Sequence, residues 1–189
     1  SDFFPGKGRR RRIIFKVFAY PLDEVMGLKF PWKSLLVCLL IPLGVGGLSG
    51  LVNGPGMAAF DQLAKPPLTP PDWVFAVAWA ILYLLMGLAS WLVWNYGKDK
   101  GAVRGALRLY GLQLGMNFFW PLFFFTLQWR LGAFVWLVVL WVLILTTLLR
   151  FFQLNRAAGW LLVPYLVWTA FAGYLNLGVV LCNLQETPF

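Results

Sequence analysis

Five long apolar stretches constrain the fold of this sequence more than any other feature. They cover residues 34–52, 73–95, 108–127, 131–149 and 159–182. Each approaches the ~20 residues that a helix needs to cross ~30 Å of hydrocarbon. Only 12% of the residues are charged and the mean hydropathy is +0.74, whereas a soluble domain carries roughly 25% charged residues. The sequence therefore predicts an all-α integral membrane protein, a bundle of five transmembrane helices.

The lysine and arginine residues are distributed unevenly between the predicted loops. Of the 16, eight lie in residues 1–33, four in residues 98–108 around the second loop, and two between the fourth and fifth stretches. Lys65 and Arg130 are the remaining two, in the first and third loops. The positive-inside rule therefore predicts an inner N-terminus and an outer C-terminus. We divide the chain into a basic N-terminal extension at 1–33, a membrane domain at 34–184 and a short tail at 185–189.

The N-terminal extension contains a run of four arginines, Arg9, Arg10, Arg11 and Arg12. A basic run beside a membrane span is typical of contact with anionic lipid headgroups or with an acidic partner protein. We therefore predict that these arginines dock the chain on lipid or on a partner, and that the chain does not bind nucleic acid.

The residues that most enzymes use for catalysis are scarce in this sequence. There is no histidine, and the seven Asp and Glu residues lie in loops or tails. Histidine-based acid–base chemistry and most transition-metal sites are thereby excluded. We predict no catalytic residues, no metal site and no disulfide between Cys38 and Cys182, so the chain is not expected to be an enzyme.

The third apolar stretch has two different faces if it is helical. Gln113, Asn117 and Trp120 lie within a ~60° arc of the helix surface. Gly111 and Gly115 lie on roughly the opposite side and suit close helix contact, as Gly46 and Gly50 do in the first stretch. Amides within the bilayer need partners or a polar cavity. The residues alone leave open whether Gln113 and Asn117 bond to neighbouring helices or line a ligand pocket.

Aromatic residues form similar faces in the fifth and second stretches. Trp168, Phe171, Ala172 and Leu175 share one helical face, which continues to Asn176, and Trp79 lies four residues before Tyr83. An aromatic cavity with a few amides suits a flat, largely apolar ligand. Such stripes are also common in ordinary helix packing.

Three sequence blocks resemble the TspO/MBR family, which comprises tryptophan-rich sensory proteins and translocator proteins (peripheral benzodiazepine receptors). The first is Leu-Ala-Lys-Pro-Pro-Leu-Thr-Pro-Pro at 63–71, followed by Trp79 and Tyr83. The second is Gln-Leu-Gly-Met-Asn-Phe-Phe-Trp-Pro at 113–121, and the third is Leu-Val-Pro-Tyr-Leu-Val-Trp at 162–168. The blocks occur in family order and spacing over about residues 35–184.

The resemblance implies a five-helix bundle whose pocket, capped by the first loop, binds porphyrins, haem-like tetrapyrroles or sterol-like lipids without a covalent cofactor. It implies a regulatory or transport role linked to tetrapyrrole or photosynthetic-pigment metabolism, often as a homodimer, in a bacterial inner or intracytoplasmic membrane with a cytoplasmic N-terminus and a periplasmic C-terminus. The implied lid residues are Lys65, Pro66, Pro70 and Pro71. The implied ligand-binding residues are Trp79, Tyr83, Gln113, Asn117, Trp120, Trp168, Phe171, Ala172 and Leu175.

The sequence departs from the family pattern at the first loop. Ala59 and Phe60 stand where the family usually has Trp-Tyr, and Leu68 stands where it usually has Trp. The missing indoles disfavour the porphyrin breakdown proposed for some relatives. Together with the basic arm they support an alternative function, an accessory or assembly subunit of a larger photosynthetic pigment–protein membrane complex. No Lys or Arg follows Tyr174, so the animal-type sterol motif is absent.

Overall fold

The computed structural model describes residues 31–183, apart from the side chains of residues 55 and 57–59. Over this range the all-α prediction is confirmed, with five α-helices and no strand. A π-helical turn, Leu122–Thr126, directly continues the third helix. The predicted docking arginines, Arg9–Arg12, and the tail at 185–189 lie outside the described residues. The helices are α1 Trp32–Phe60, α2 Asp72–Tyr96, α3 Lys100–Pro121, α4 Arg130–Leu154 and α5 Arg156–Cys182.

Four of the five described helices, α1, α2, α4 and α5, are long and apolar enough to cross a membrane. The third is less apolar because its first turns carry Lys100, Arg104 and Arg108 and its centre carries two amides. It also begins eight residues before the predicted boundary at 108. Asp99 explains this early start, because its Oδ1 accepts hydrogen bonds from the backbone N–H groups of Gly101 and Ala102 at 2.8 and 3.1 Å.

The last helix, α5, packs against both α4 and α2, and α3 packs against α4. Met86, Phe151 and Tyr165 are completely buried in the resulting core. α1 is attached more loosely. Only 11% of the residues in its most apolar 18-residue segment are buried, against 44% for the corresponding segment of α2. It comes close to α2 at Gly87, where a Cβ atom would lie 2.7 Å from the carbonyl oxygen of Cys38.

The first helix extends past its predicted end at residue 52 and stops at Phe60. Residues 59 and 60, expected in the first loop, therefore belong to the last turn of α1. The loop that connects α1 to α2 is correspondingly short, residues 61–71. It lies directly above the cavities described below.

Candidate ligand-binding site

Four buried side chains form a hydrogen-bonded chain between α2, α3 and α5, which we call the inner polar cluster: Tyr83, Gln113, Asn117 and Tyr165. The Tyr165 hydroxyl donates to Gln113 Oε1 at 2.9 Å and accepts from Asn117 Nδ2 at 2.7 Å. The Tyr83 hydroxyl donates to Asn117 Oδ1 at 3.3 Å. Both amides therefore bond to neighbouring helices, which is one of the two alternatives that the sequence left open.

An inner cavity of about 410 Å³ adjoins this cluster between α1, α2 and α3. It is lined by four of the predicted ligand-binding residues, Trp79, Tyr83, Asn117 and Trp120. Asn117 thus belongs to both the cluster and the cavity wall. Gln113 is buried and does not line this cavity, and its Nε2 has no hydrogen-bond partner among the described residues.

Glycines of α1 form the opposite wall of the inner cavity. Gly46 lies directly against the ring of Tyr83, where any side chain would collide. Gly50 lines the cavity and has no neighbour close to where its Cβ would be. The predicted helix contact is therefore present at Gly46 and absent at Gly50, where the missing side chain enlarges the cavity.

An outer cavity of about 180 Å³ lies beneath the loop 61–71. The predicted residues Trp120, Ala172 and Leu175 line it, together with Asn176 of the same α5 face. Three aromatic residues contribute to the walls of both cavities: Phe75, Trp120 and Phe125. The two cavities are therefore adjacent and share an aromatic wall.

Two predicted ligand-binding residues, Trp168 and Phe171, line neither cavity. The Trp168 ring packs edge-on against Phe75, with 5.7 Å between centroids. Phe171 packs between Trp168 and Tyr174, at 5.5 and 6.1 Å. These residues fall on the right helix face, but Phe75 stands between Trp168 and the cavity. Trp168 thus contacts one residue of the aromatic wall, and Phe171 contacts Trp168.

The predicted lid residues lie in the loop 61–71 but do not form the surface of a cavity. Lys65, Pro66, Pro70 and Pro71 are not part of either cavity wall, whereas Thr69 is. Pro66 is buried against Gly178 of α5, where a side chain would collide with the proline ring. The loop therefore covers the outer cavity through Asp61 and Thr69, while its first proline fixes it to α5.

Hydrogen bonds from α5 hold the loop in place. Asn183 donates from Nδ2 to the carbonyl oxygen of Ala64 at 2.9 Å and accepts from its N–H at 3.1 Å. The Tyr174 hydroxyl donates to the carbonyl oxygen of Pro67 at 3.0 Å. Sequence reasoning missed Asn183 and Tyr174, because a lone polar residue near the end of a membrane helix carries no signal of a loop contact.

The tip of the loop is at Leu68, which departs from the family pattern. Its φ of 66° is in the left-handed region, unusual for a leucine, and its side chain is 80% exposed. Leu68 lines neither cavity. Phe60, the other departure with a described side chain, does line the outer cavity. Of these two, only Phe60 changes the cavity surface in this structure.

The π-helical turn shapes the shared wall at the end of α3. Pro121 has no N–H, and the N–H of Leu122 bonds to Phe119 instead of Phe118. The carbonyl of Phe118 is thus available to Ser49 of α1, whose hydroxyl donates to it at 3.1 Å. The turn that follows places Phe125 in the wall of both cavities.

The predicted helix-contact residues Gly111 and Gly115 are exposed on α3. Nothing lies within 4 Å of where a Cβ would be at either position. Among the residues that the structure describes, this strip has no partner helix, so the predicted contact is not made within the chain.

Comparison with known proteins agrees with this arrangement. The sequence profile of the TspO/MBR family matches residues 38–181. The chain belongs to the TspO/MBR family. Tryptophan-rich protein TspO of Chlorobaculum tepidum is 38% identical over 152 residues, covering 79% of this chain and 96% of the relative. Protein CrtK of Rhodobacter capsulatus is 32% identical over 155 residues, covering 82% and 96%. The translocator protein of Ovis aries is 38% identical over 150 residues, covering 77% and 88%.

Family membership confirms the resemblance found in the sequence blocks and, with the four long apolar helices, identifies an integral membrane protein. The matched region contains nearly all of the helical part and both cavities. The residues on the cavity walls are therefore part of the family region of the chain and not of its N-terminal extension.

Proposed function

We propose that this TspO/MBR-family membrane protein binds a flat, largely apolar ligand, a porphyrin-type tetrapyrrole or a sterol-like lipid, in a regulatory or transport role. The observation that carries the proposal is the pair of adjacent cavities separated by Phe75, Trp120 and Phe125. Rotation of these rings would join the two spaces into one aromatic pocket. Ligand sites of this kind are concave, mostly apolar and supplied with a few polar groups.

The names of related proteins support a transport or sensing role. Relatives are named translocator protein, from Ovis aries, and tryptophan-rich sensory protein, from Cereibacter sphaeroides. The tetrapyrrole and sterol classes come from the family resemblance. We propose binding rather than catalysis, because the walls of the inner cavity are aliphatic and aromatic apart from Ser49, Tyr83 and Asn117.

Titration of the purified protein in mild detergent tests this function. Protoporphyrin IX, haem and cholesterol are added in turn, and tryptophan quenching or, for the sterol, competition with bound porphyrin is measured. We expect saturable binding of at least one of them, weakened by Trp79→Ala. Trp94→Ala is the matched control, because Trp94 is exposed near the end of α2 and lines neither cavity. Absence of saturable binding, or equal loss in both variants, would refute the proposal.

We further propose that the loop 61–71 faces the outer side of the membrane, as the distribution of basic residues indicates. A cysteine at Leu68, which is 80% exposed, should react with an impermeant maleimide added to intact cells. A cysteine at Lys98 should react only after lysis. Both variants are made with Cys38 and Cys182 replaced by alanine. The reverse labelling pattern would invert the orientation.

The oligomeric state is also a proposal. Gly111 and Gly115 are exposed and unpartnered within the described chain, which leaves them free to contact a second copy or a larger membrane complex. Crosslinking in native membranes, compared between wild type and Gly111→Leu, tests whether this strip is an interface.

A further inference from the structure

Two buried polar atoms on the wall of the outer cavity lack a hydrogen-bond partner. Asn176 is 1% exposed; its Nδ2 donates to the carbonyl oxygen of Arg130 at 3.2 Å, but its Oδ1 has no partner among the described residues. Trp120 is 7% exposed, and its Nε1 likewise finds no acceptor within the described range. Both residues line the outer cavity, so its wall includes one residue with an unsatisfied acceptor and one with an unsatisfied donor. Buried polar groups in proteins are nearly always hydrogen-bonded.

Carboxylates lie at the same cavity. Asp61 and Asp72 both contribute to its wall. Lys65 pairs with Asp61 at 3.0 Å, while no salt bridge to Asp72 is formed within the described part of the chain. Arg130 contributes its backbone carbonyl to Asn176, but it is not part of the cavity wall. Of the two carboxylates on the wall, Asp61 is therefore paired and Asp72 has no ion-pair partner among the described residues.

Each feature has a simpler explanation when taken alone. Asp72 lies in the first turn of α2, where a carboxylate stabilises the helix dipole. Asp61 pairs with a lysine four residues later. Trp120 stacks on Phe124, with ring centroids 5.5 Å apart. These explanations do not account for the free Nε1 of Trp120 or the free Oδ1 of Asn176 beside the same 180 Å³ space.

We propose that the outer cavity binds the polar end of the ligand, and that this end is an uncharged group able to both donate and accept a hydrogen bond, such as a hydroxyl or carboxamide. The N–H or O–H of this group donates a hydrogen bond to Asn176 Oδ1, and its oxygen accepts one from Trp120 Nε1. Asp72 disfavours a carboxylate at this position. The inference rests on the proposed function and narrows its ligand class: alcohols, amides and porphyrins with blocked carboxyl groups are preferred over free acids.

Three matched pyrene probes test the inference independently of any porphyrin: 1-methylpyrene, 1-pyrenemethanol and 1-pyrenecarboxylate. All share one flat fluorescent ring system and differ only in the substituent, which is a methyl, hydroxymethyl or carboxylate group. Energy transfer from tryptophan to pyrene reports binding in detergent. We expect pyrenemethanol to bind wild type roughly three- to tenfold more tightly than methylpyrene, the scale of one or two net hydrogen bonds. We expect pyrenecarboxylate to bind least tightly at low salt.

Variants separate the two parts of the proposal. Asn176→Leu and Trp120→Phe should each reduce the advantage of the hydroxyl over the methyl probe. Asp72→Asn should improve the binding of pyrenecarboxylate relative to methylpyrene roughly threefold at low salt. Asp99→Asn is the matched control, since Asp99 caps α3 and does not line the cavity. Each comparison uses one probe in one detergent, so partition of the probe into micelles cancels.

The outcomes for the inference and for the proposed function are distinct. The inference would be overturned if pyrenecarboxylate bound as tightly as pyrenemethanol. It would also be overturned if the preferences among the probes were unchanged in Asp72→Asn, Asn176→Leu and Trp120→Phe. Lack of saturable binding by all three pyrenes would also overturn it. Selective pyrene binding without binding of porphyrin or sterol would instead retain the inference and refute the proposed ligand class. If Asn176→Leu fails to fold, Trp120→Phe still tests the hydroxyl preference, because it keeps an aromatic ring.

Discussion

The inner polar cluster and the outer cavity contain similar amides in different bonding states. Asn117 is 2% exposed and Asn176 is 1% exposed. Both atoms of the Asn117 amide are bonded, to Tyr165 and to Tyr83. Asn176 lines the outer cavity and bonds through Nδ2 only, since its Oδ1 has no partner among the described residues. Burial alone therefore does not distinguish Asn117 from Asn176, whereas their hydrogen bonds do. Gln113 is intermediate, because its Oε1 accepts from Tyr165 and its Nε2 has no partner among the described residues.

The difference arises from what surrounds each amide. Tyr165 presents a hydroxyl that donates and accepts at once, and it lies between the two amides of α3. At the outer end, Pro121 and the π-helical turn interrupt the regular bonding of α3 and bring aromatic rings instead of hydroxyls toward α5. Rings fill space without satisfying an amide oxygen, so Asn176 Oδ1 is left without a partner among the described residues.

Much of the fold followed from the sequence, because hydrophobic length and helical periodicity are local properties. The five apolar stretches became five helices, and the face Gln113, Asn117 and Trp120 is the buried face of α3. The early start of α3 at Asp99 and the extension of α1 to Phe60 were missed, since capping and continuation depend on single residues.

The site was only partly predictable. Six of the nine predicted ligand-binding residues line a cavity, whereas Gln113, Trp168 and Phe171 line neither cavity. Periodicity identifies the face of a helix but not which side chain of a neighbouring helix stands in front of it, as Phe75 does for Trp168. The contact between Asn183 and Ala64 joins residues 119 positions apart, and no local pattern predicts it.

The largest effect is expected from breaking the inner cluster. Tyr165→Phe removes the hydroxyl that bonds both Gln113 and Asn117 and leaves two buried amides partly unsatisfied. We expect a loss of about 2 kcal/mol in the free energy of unfolding, somewhat above the average for hydrogen bonds in membranes. Asn176→Leu should cost under about 1 kcal/mol, because its acceptor is already unpaired. Unfolding in mixed detergent measures both, and equal losses would contradict the distinction between cluster and cavity.

The second prediction compares two tryptophans near the cavities. Trp120 lines both cavities, whereas Trp168 contacts Phe75 from behind. Trp120→Ala should weaken porphyrin binding by about 1–3 kcal/mol, the range for a buried aromatic anchor. Trp168→Ala should weaken it by about half as much, through loss of support for Phe75. Fluorescence titration of the two variants decides the order, and a larger effect at Trp168 would place that ring in the site.

The third prediction concerns the loop above the outer cavity. Asn183→Ala removes both side-chain bonds to Ala64. We expect the amide of Ala64 to exchange hydrogen about tenfold faster, which corresponds to about 1.4 kcal/mol of local stability. Global stability should change little, because the helices keep their packing. Hydrogen exchange followed by mass spectrometry measures this, with Gln62→Ala, an exposed position, as control. Unchanged exchange at Ala64 would show that Pro66 and Tyr174 alone hold the loop.

The smallest effect should appear at two adjacent glycines of the inner cavity wall. A methyl group at Gly46 would collide with the buried ring of Tyr83 and push its hydroxyl away from Asn117, whereas Gly47 has open space at the same point. Alanine favours a helix over glycine by ~1 kcal/mol at either position, so the difference between the variants isolates the collision. We expect Gly46→Ala to be less stable than Gly47→Ala by about 1 kcal/mol. Adding Tyr83→Phe should remove only the part of this difference that comes from the lost bond to Asn117, because the ring atoms that meet the methyl group remain. A difference that survives Tyr83→Phe in full would mean that the ring itself, and not its bond to the inner polar cluster, sets the cost.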